Sequence, residues 1–161
     1  MCQILAAQFQ KAGSTNIPGC TATLSDNIGL DASISFGQSE VGHVFYCMIY
    51  VRFPAGHVDG NETIIQAAIR ETQEEAGVKI NKDDLSIVHV LHKRDDNGSE
   101  SIDFFIESTK WEGTPKVMEP EKCEKLEWFE LNNLPENIVG SLKHVIEKKE
   151  KNIFYSDYGW E

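Results

Sequence analysis

A chain of 161 residues with 40% hydrophobic side chains is the size of one domain and long enough to bury a substantial core. Its formal net charge of −11 excludes a protein whose work is gripping DNA or RNA, because no basic stripe is present to displace counterions. No stretch approaches the roughly eighteen apolar residues of a membrane span, so the expected setting is the cytoplasm, without membrane or nucleic-acid partners.

The first third is the least informative. Ile4–Ala7 is a short apolar patch, too short for a signal h-region and with no basic residue before it. Up to Arg52 the chain is rich in Ser, Gly and Thr, with Lys11 its sole Lys or Arg. Within it, Ile28, Leu30, Ala32, Ile34 and Phe36 alternate with Gly29, Asp31, Ser33 and Ser35, which predicts a half-buried strand after the turn-prone pair Asp26-Asn27. The apolar run from Val44 to Val51 predicts a central strand leading into Phe53-Pro54-Ala55-Gly56. The four cysteines (Cys2, Cys20, Cys47, Cys123) form no C-x-x-C pair and have no metal-type His spacing. Free thiols are expected, and a structural zinc is not.

Next comes GHVDGNETIIQAAIRETQEEAGV, from Gly56 to Val78. Asn61 is a candidate helix cap, with Gly60 and Gly77 punctuating the two ends. Ile65, Ala68, Ile69, Thr72 and Ala76 recur at three- and four-residue steps and predict a core-facing stripe. Thr72 is expected to pack its methyl there and bond its hydroxyl to the preceding turn. Glu71, Glu74 and Glu75 fall within one turn, on a face expected to rotate away from that stripe. Like charges at this spacing repel by roughly 0.2–0.5 kcal/mol per pair, so a docking cation explains them. Mg²⁺, a hard ion held by one or two carboxylates plus substrate phosphates, fits that need. Reading the cluster as a solvated charged face leaves the loop and both glycines unexplained.

Downstream, Leu85–Leu91 and Ser101–Glu107 predict a hairpin, joined through the turn chemistry of Asp95-Asp96-Asn97-Gly98. Ile102, Phe104 and Ile106 are expected on one face of the second strand. Leu126–Leu131 predicts a further strand. Ile138, Val139, Leu142, Val145 and Ile146 predict an amphipathic helix over 136–150, ending in a lysine-rich turn that suits a helix C-terminus. His89 and His92 read as packing or surface residues, and Trp128 and Phe129 as core. Tyr155, Tyr158 and Trp160 form an aromatic tail expected to dock on the domain. Strands flanking two helices predict an α/β sandwich on a mixed sheet, with residues 1–161 as a single domain.

Gly56, Glu62, Arg70, Glu71, Glu74, Glu75, Gly77 and Val78 stand in the register G-x5-E-x7-R-E-U-x-E-E-x-G-U, with U a bulky aliphatic. The segment resembles the Nudix box. Thr72 departs from the pattern, which usually has Ile, Leu or Val there. FPAGHVDGNET, the HVLHK run, EPEKC…WFEL and FYSDYGW extend the similarity to a MutT-type, bacterial-like subgroup over about residues 53–161, whereas residues 1–50 depart from it. The resemblance implies an α/β/α sandwich carrying the box as loop–helix–loop. It implies that Glu71, Glu74 and Glu75 hold Mg²⁺, with Mn²⁺ as the alternative ion, together with a backbone carbonyl of Ala55 or Gly56. Arg70 and Glu62 would pair to hold the helix against the loop. A further catalytic acid would be Glu121, or Glu119 as second choice.

The implied reaction is hydrolysis of a phosphoanhydride of a (deoxy)nucleoside triphosphate to a nucleoside monophosphate and pyrophosphate. Two alternatives stay open: a Nudix hydrolase for a diphosphate-linked substrate such as a nucleotide sugar or ADP-ribose, and a non-catalytic nucleotide-binding module. The partner in every case is a small nucleotide.

Overall fold

The computed structural model describes residues 5–7, 28–36, 43–48, 51–121, 123, 125–131 and 133–161. Strands β1 (Leu5–Ala7), β2 (Ile28–Phe36) and β5 (Ala55–His57) join β6 (Leu85–Arg94), β7 (Glu100–Ser108) and β9 (Tyr155–Tyr158) in one six-stranded sheet. Its order is β5-β2-β1-β7-β6-β9, with β2 also pairing β7. The sheet is mixed: β2–β7 and β6–β9 run parallel, and the other pairs are antiparallel. Strands β3 (His43–Met48), β4 (Val51–Arg52) and β8 (Leu126–Glu130) form a second sheet with β3 in its centre. The run expected from Val44 to Val51 carries β3, central in this smaller sheet, and the first residue of β4, while residues 49 and 50 lie outside the described residues. Helices α1 (Ile64–Ala76) and α2 (Gly140–Glu150) cover opposite faces of the larger sheet.

Those opposite faces are set by the period-2 alternation of β7. Ile106 packs with Ala67, Ala68, Ala76, Val78 and Ile80 under α1. Its neighbour Phe105 packs with Phe53, Leu91, Leu142, Val145 and Ile146 under α2. The result is the expected α/β/α layering. Because both faces are covered, β7 does not divide into one buried and one exposed side. Ser101 and Asp103 are more buried than Ile102 and Phe104. The Ser101 hydroxyl donates to Asp103 Oδ1 at 2.7 Å, and Lys93 Nζ lies 3.8 Å from Asp103 Oδ2, which satisfies this buried polar pair.

The β6–β7 hairpin turns where expected, with Gly98 at φ 85° and its N–H bonded to Asp95 C=O at 2.8 Å. Three details differ from the sequence reading. The cap of α1 is Thr63, not Asn61: its hydroxyl accepts from Gln66 N–H, and the Gln66 side chain accepts from Thr63 N–H, a reciprocal capping box. Asn61 instead takes φ 74° in the tight approach to the helix, a conformation that Asn tolerates. Helix α2 begins at Gly140, later than residue 136, because Pro135–Ile138 first closes a turn. Trp128 is 36% exposed and stacks on Trp111 at 5.8 Å, a partly open arrangement in place of the expected core position.

The buried face of α1 also differs. It comprises Ala67, Ala68, Thr72, Glu75 and Ala76, with Ile65 and Ile69 at its margins. Glu75 therefore lies on the buried face, although the carboxylates were expected to turn away from it. Thr72 is fully buried, and its Oγ1 has no hydrogen-bond partner, so the expected bond to the preceding turn is not made. Leaving a buried hydroxyl unpaired costs about 1–3 kcal/mol. Thr72→Val removes the orphan at nearly constant shape, and urea denaturation is expected to show a gain of about 1 kcal/mol. An equal or lower midpoint contradicts this account.

The aromatic tail docks as β9, laid parallel on β6, with Val90 level with Tyr155 and Lys93 with Tyr158. A three-residue relay anchors it. His89 Nδ1 lies 2.9 Å from Ile153 C=O, so it must donate. His89 Nε2 then accepts from Ser156 Oγ at 2.9 Å, and Ser156 Oγ accepts from His144 Nε2 at 3.0 Å. Every bond is made with both imidazoles neutral. His89, expected as a packing or surface residue, is fully buried. Burial pushes its pKa below the usual histidine value, helped by the nearby His144 and Lys148. Burial and Lys148 also lower that of His144, against Glu147 and Asp157. The unfolded chain therefore takes up more protons below about pH 6.5, and stability falls as pH drops through that value toward the folded-state pKa. Thermal melts at pH 7.5 and 5.5 should show a lower midpoint at pH 5.5, with a smaller drop in His144→Gln; an unchanged drop in that variant removes His144 from the relay's titration.

Candidate active site

The loop before α1 and the first three turns of α1 converge on one guanidinium. Arg70 sits eight residues after Glu62 and four before Glu74, so the loop acid and the helix acids reach it from opposite sides. Its Nε and Nη2 fork onto Glu62 at 3.2 and 2.7 Å. Nη2 also donates to His57 C=O at 2.9 Å, and Nη1 donates to Glu71 Oε1 at 2.5 Å and Glu74 Oε2 at 3.1 Å. All five N–H donors of the fork are engaged. Asp59 Oδ2 lies 3.6 Å away as a looser partner. The hydrogen bond from Arg70, outweighing burial, holds the Glu62 carboxyl below the usual range, and Glu62 in turn raises the Arg70 pKa.

The loop itself closes through short-range bonds. Asp59 N–H donates to Glu62 Oε1 at 2.8 Å. Ala55 N–H donates to Glu75 Oε2 at 3.1 Å, which draws the buried Glu75 carboxylate to the start of the loop. Gly56 leaves the space that the Glu71 carboxylate occupies. A Cβ there would lie 1.7 Å from the Glu71 carboxyl carbon, so any side chain would displace the acid. At the far end, Gly77 takes φ 69° and bonds back to Gln73 C=O, which stops the helix. Lys116 N–H and Met118 N–H then donate to Ala76 and Glu75 C=O at 3.0 and 3.2 Å, tying the following segment to the last turn of α1.

The residues singled out from sequence fare unequally. Arg70, Glu62, Glu71 and Glu74 meet directly, and Ala55 and Gly56 lie against Glu75 and Glu71. Among the described residues, no three His, Cys, Asp or Glu side chains stand together as a ready-made metal site. The physical reason is that Arg70 holds the near oxygens of Glu71 and Glu74, while Glu75 is turned to the Ala55 amide. Glu121 is exposed in a turn, with no hydrogen bond or ion pair among the described residues, although its segment is tied to α1 through Met118. Glu119 accepts Cys123 N–H at its carbonyl. The Arg70 contacts to the His57 carbonyl and to Asp59 were missed, since neither follows from a residue type at fixed spacing.

What the arrangement can do follows from its charge. Asp59, Glu62, Glu71 and Glu74 surround a single guanidinium, and Glu75 stands on the same helix, so the cluster keeps a strong negative excess. Its groups are hard oxygen donors on a rigid helix beside a backbone loop, the chemistry that Mg²⁺ or Mn²⁺ selects. The donor set fits such an ion. Glu74, the most exposed of the three box carboxylates at 53%, is the most open to one.

Comparison with known proteins identifies the family. The NUDIX domain family matches residues 38–149. Among solved structures, the MutT NUDIX hydrolase from Burkholderia pseudomallei superposes with a TM-score of 0.62 at 24% identity, covering 75% of this chain and 95% of that one. The NUDIX domain of Shewanella oneidensis NrtR, complexed with ADP ribose, gives 0.61 at 13% identity over 81% and 90%. A C. elegans Ap4A hydrolase binary complex gives 0.53 at 19% identity over 77% and 95%. These likenesses concern the fold, whereas the family match spans most of the chain and takes in the whole loop and helix that carry the carboxylate cluster. The chain belongs to the NUDIX family of hydrolases acting on phosphorus-containing anhydrides.

Proposed function

We propose that this protein is a Mg²⁺- or Mn²⁺-dependent pyrophosphohydrolase that cleaves a (deoxy)nucleoside triphosphate to a nucleoside monophosphate and pyrophosphate. The observation that carries the proposal is the carboxylate excess around Arg70, built on a helix whose Glu71 carboxylate occupies the space that the missing Gly56 side chain leaves. Glu71, Glu74 and Glu75, with the carbonyl of Ala55 or Gly56, would hold the ion. When bound, the ion offsets phosphate charge and lowers the pKa of water. Arg70 orients Glu71 and Glu74 through separate N–H groups. Glu71, or a loop carboxylate from Glu121 or Glu119, takes a proton from the attacking water as its oxygen adds in line to one phosphorus. The bond to the departing pyrophosphate then breaks.

A diphosphate-linked substrate is the second reading, favoured by the fold shared with the NrtR domain complexed with ADP ribose and with the Ap4A hydrolase. A panel of nucleotides with Mg²⁺, read as pyrophosphate and phosphate release, separates them. Turnover of triphosphates alone supports the first reading, and turnover confined to diphosphate-linked compounds supports the second. Silence with retained nucleotide binding would move the protein to a non-catalytic role.

Glu74→Gln and Glu75→Gln are each expected to lower kcat by on the order of 10²-fold or more. Their melting temperature without metal should stay near that of the parent, while the upward shift caused by Mg²⁺ shrinks. Wild-type rates in both variants would remove the metal assignment. Arg70→Lys keeps the charge but loses the five-donor fork, and is expected to lower stability by about 2 kcal/mol in urea. It should also reduce turnover at saturating Mg²⁺, because Glu71 and Glu74 lose their common anchor. Retention of parent stability would show that charge alone, not the fork, holds the loop.

A further inference from the structure

Helix α1 does not end in solvent. The segment 111–119, which forms neither helix nor strand, is strapped across it. At one end of the strap, Lys79 N–H donates to Glu112 C=O at 3.1 Å and Glu112 N–H to Lys79 C=O at 2.8 Å. Gly113 follows at φ 94°, where a Cβ would stand 3.7 Å from Gly77 C=O. Lys116 N–H and Met118 N–H then bond the last two carbonyls of α1, those of Ala76 and Glu75. The final carbonyls of a helix have no partner within it, and here the strap supplies their donors.

Met118 completes the strap with its side chain. Its sulfur and Cγ lie 3.0 and 3.1 Å from the place that a Cβ on Gly77 would take, so the thioether rests on the bare backbone of the helix cap. The other side of the residue is open, and 45% of it is exposed. A thioether is apolar and only a weak acceptor, so it sits beside the negative end of a helix at little cost. Its position joins two parts of the molecule. The backbone N–H holds the helical turn that carries Glu74 and Glu75, and Glu119 and Glu121 follow directly in the chain.

An oxygen added to that sulfur reverses the balance. A sulfoxide is polar and chiral where the thioether was apolar and flexible. Its oxygen carries negative charge and would face carbonyl oxygens at the C-terminus of α1, where negative charge is unfavourable. Turning the oxygen out to water instead draws the side chain off Gly77.

We propose that Met118 is a redox-sensitive modification site that governs the strap over α1. The oxidant is a peroxide. The sulfur lone pair attacks one peroxide oxygen, the O–O bond breaks and the S–O bond forms. The departing hydroxide takes the proton from the transferred oxygen and leaves as water, so sulfur is oxidised by two electrons and the peroxide reduced by two. The sulfoxide then loosens the bonds from Lys116 and Met118 N–H to α1 and frees the segment that carries Glu119 and Glu121. The effect on turnover rests on the hydrolase reading with one of these acids in it, whereas the loosening of the strap does not.

Dilute hydrogen peroxide, with peptide mass mapping of the full chain, tests it. Met118 should gain one oxygen, and amide hydrogen exchange over residues 114–119 should quicken about tenfold or more. Nucleotide turnover should fall with it, and the two epimer-specific methionine sulfoxide reductases with a thiol should restore both. Met118→Leu keeps an apolar contact and cannot take up the oxygen, so peroxide should leave its exchange and turnover unchanged. A sulfoxide at Met118 with unaltered exchange in the strap overturns the proposal. So does a peroxide-induced loss of turnover that persists in Met118→Leu. An untreated protein without turnover counts against the hydrolase reading alone, and the exchange comparison still decides this one.

Discussion

The acidic cluster depends on a single guanidinium with no donor left over. Four carboxylates around one cation would ordinarily fray the loop from the helix. Arg70 prevents this by geometry as much as by charge, bonding Glu62 as a fork while two other N–H groups reach Glu71 and Glu74. An ammonium group offers three donors from one point and could not span both sides. The bond from Arg70 to the His57 carbonyl extends the same clamp into the loop backbone. Residues that look purely functional in the sequence therefore also close the structure around themselves.

The rest of the molecule fixes where that clamp sits. Ala67, Ala68 and Ala76 let α1 approach the sheet closely, and Ile106 receives them from β7. One residue away, Phe105 faces the opposite helix with Phe53, which lies two residues before the Ala55 amide that holds Glu75. The loop is thus anchored on both faces of the sheet at once. Helix α2 is held in turn by the His89–Ser156–His144 relay, which ties β6, α2 and β9 into one corner.

Local signals were legible in the sequence and distant ones were not. The box helix, the β6–β7 hairpin and strands β2 and β8 follow from periodicity and turn chemistry within a few residues. The cap fell to Thr63 because Gln66 completes a reciprocal pair with it, a pairing that Asn61 cannot make from two residues earlier. The burial of Glu75 ran against the like-charge argument, since only the folded loop supplies the Ala55 N–H that donates to it. Strand β9 had no readable pattern: it pairs with a strand more than sixty residues away, and the alternation in YSDY is too brief to show. The box carboxylates were found through residue types at fixed spacing, whereas the role of Asp59 and the His57 carbonyl depends on a loop conformation.

The same clamp sets a competition under the proposed function. The oxygens of Glu71 and Glu74 that Arg70 now engages are among those a divalent ion would seek. Without the guanidinium, repulsion among the helix acids would oppose folding; with it, some of their negative potential is already offset. Fold stability and ion affinity thus draw on the same charges in opposite senses. Such a site can fold before its ion arrives only if the internal cation neutralises part of the cluster and leaves the remainder. The exposure of Glu74, the loosely held Asp59 and the separate Glu75 supply that remainder, which is why one arginine among four carboxylates is consistent with both requirements.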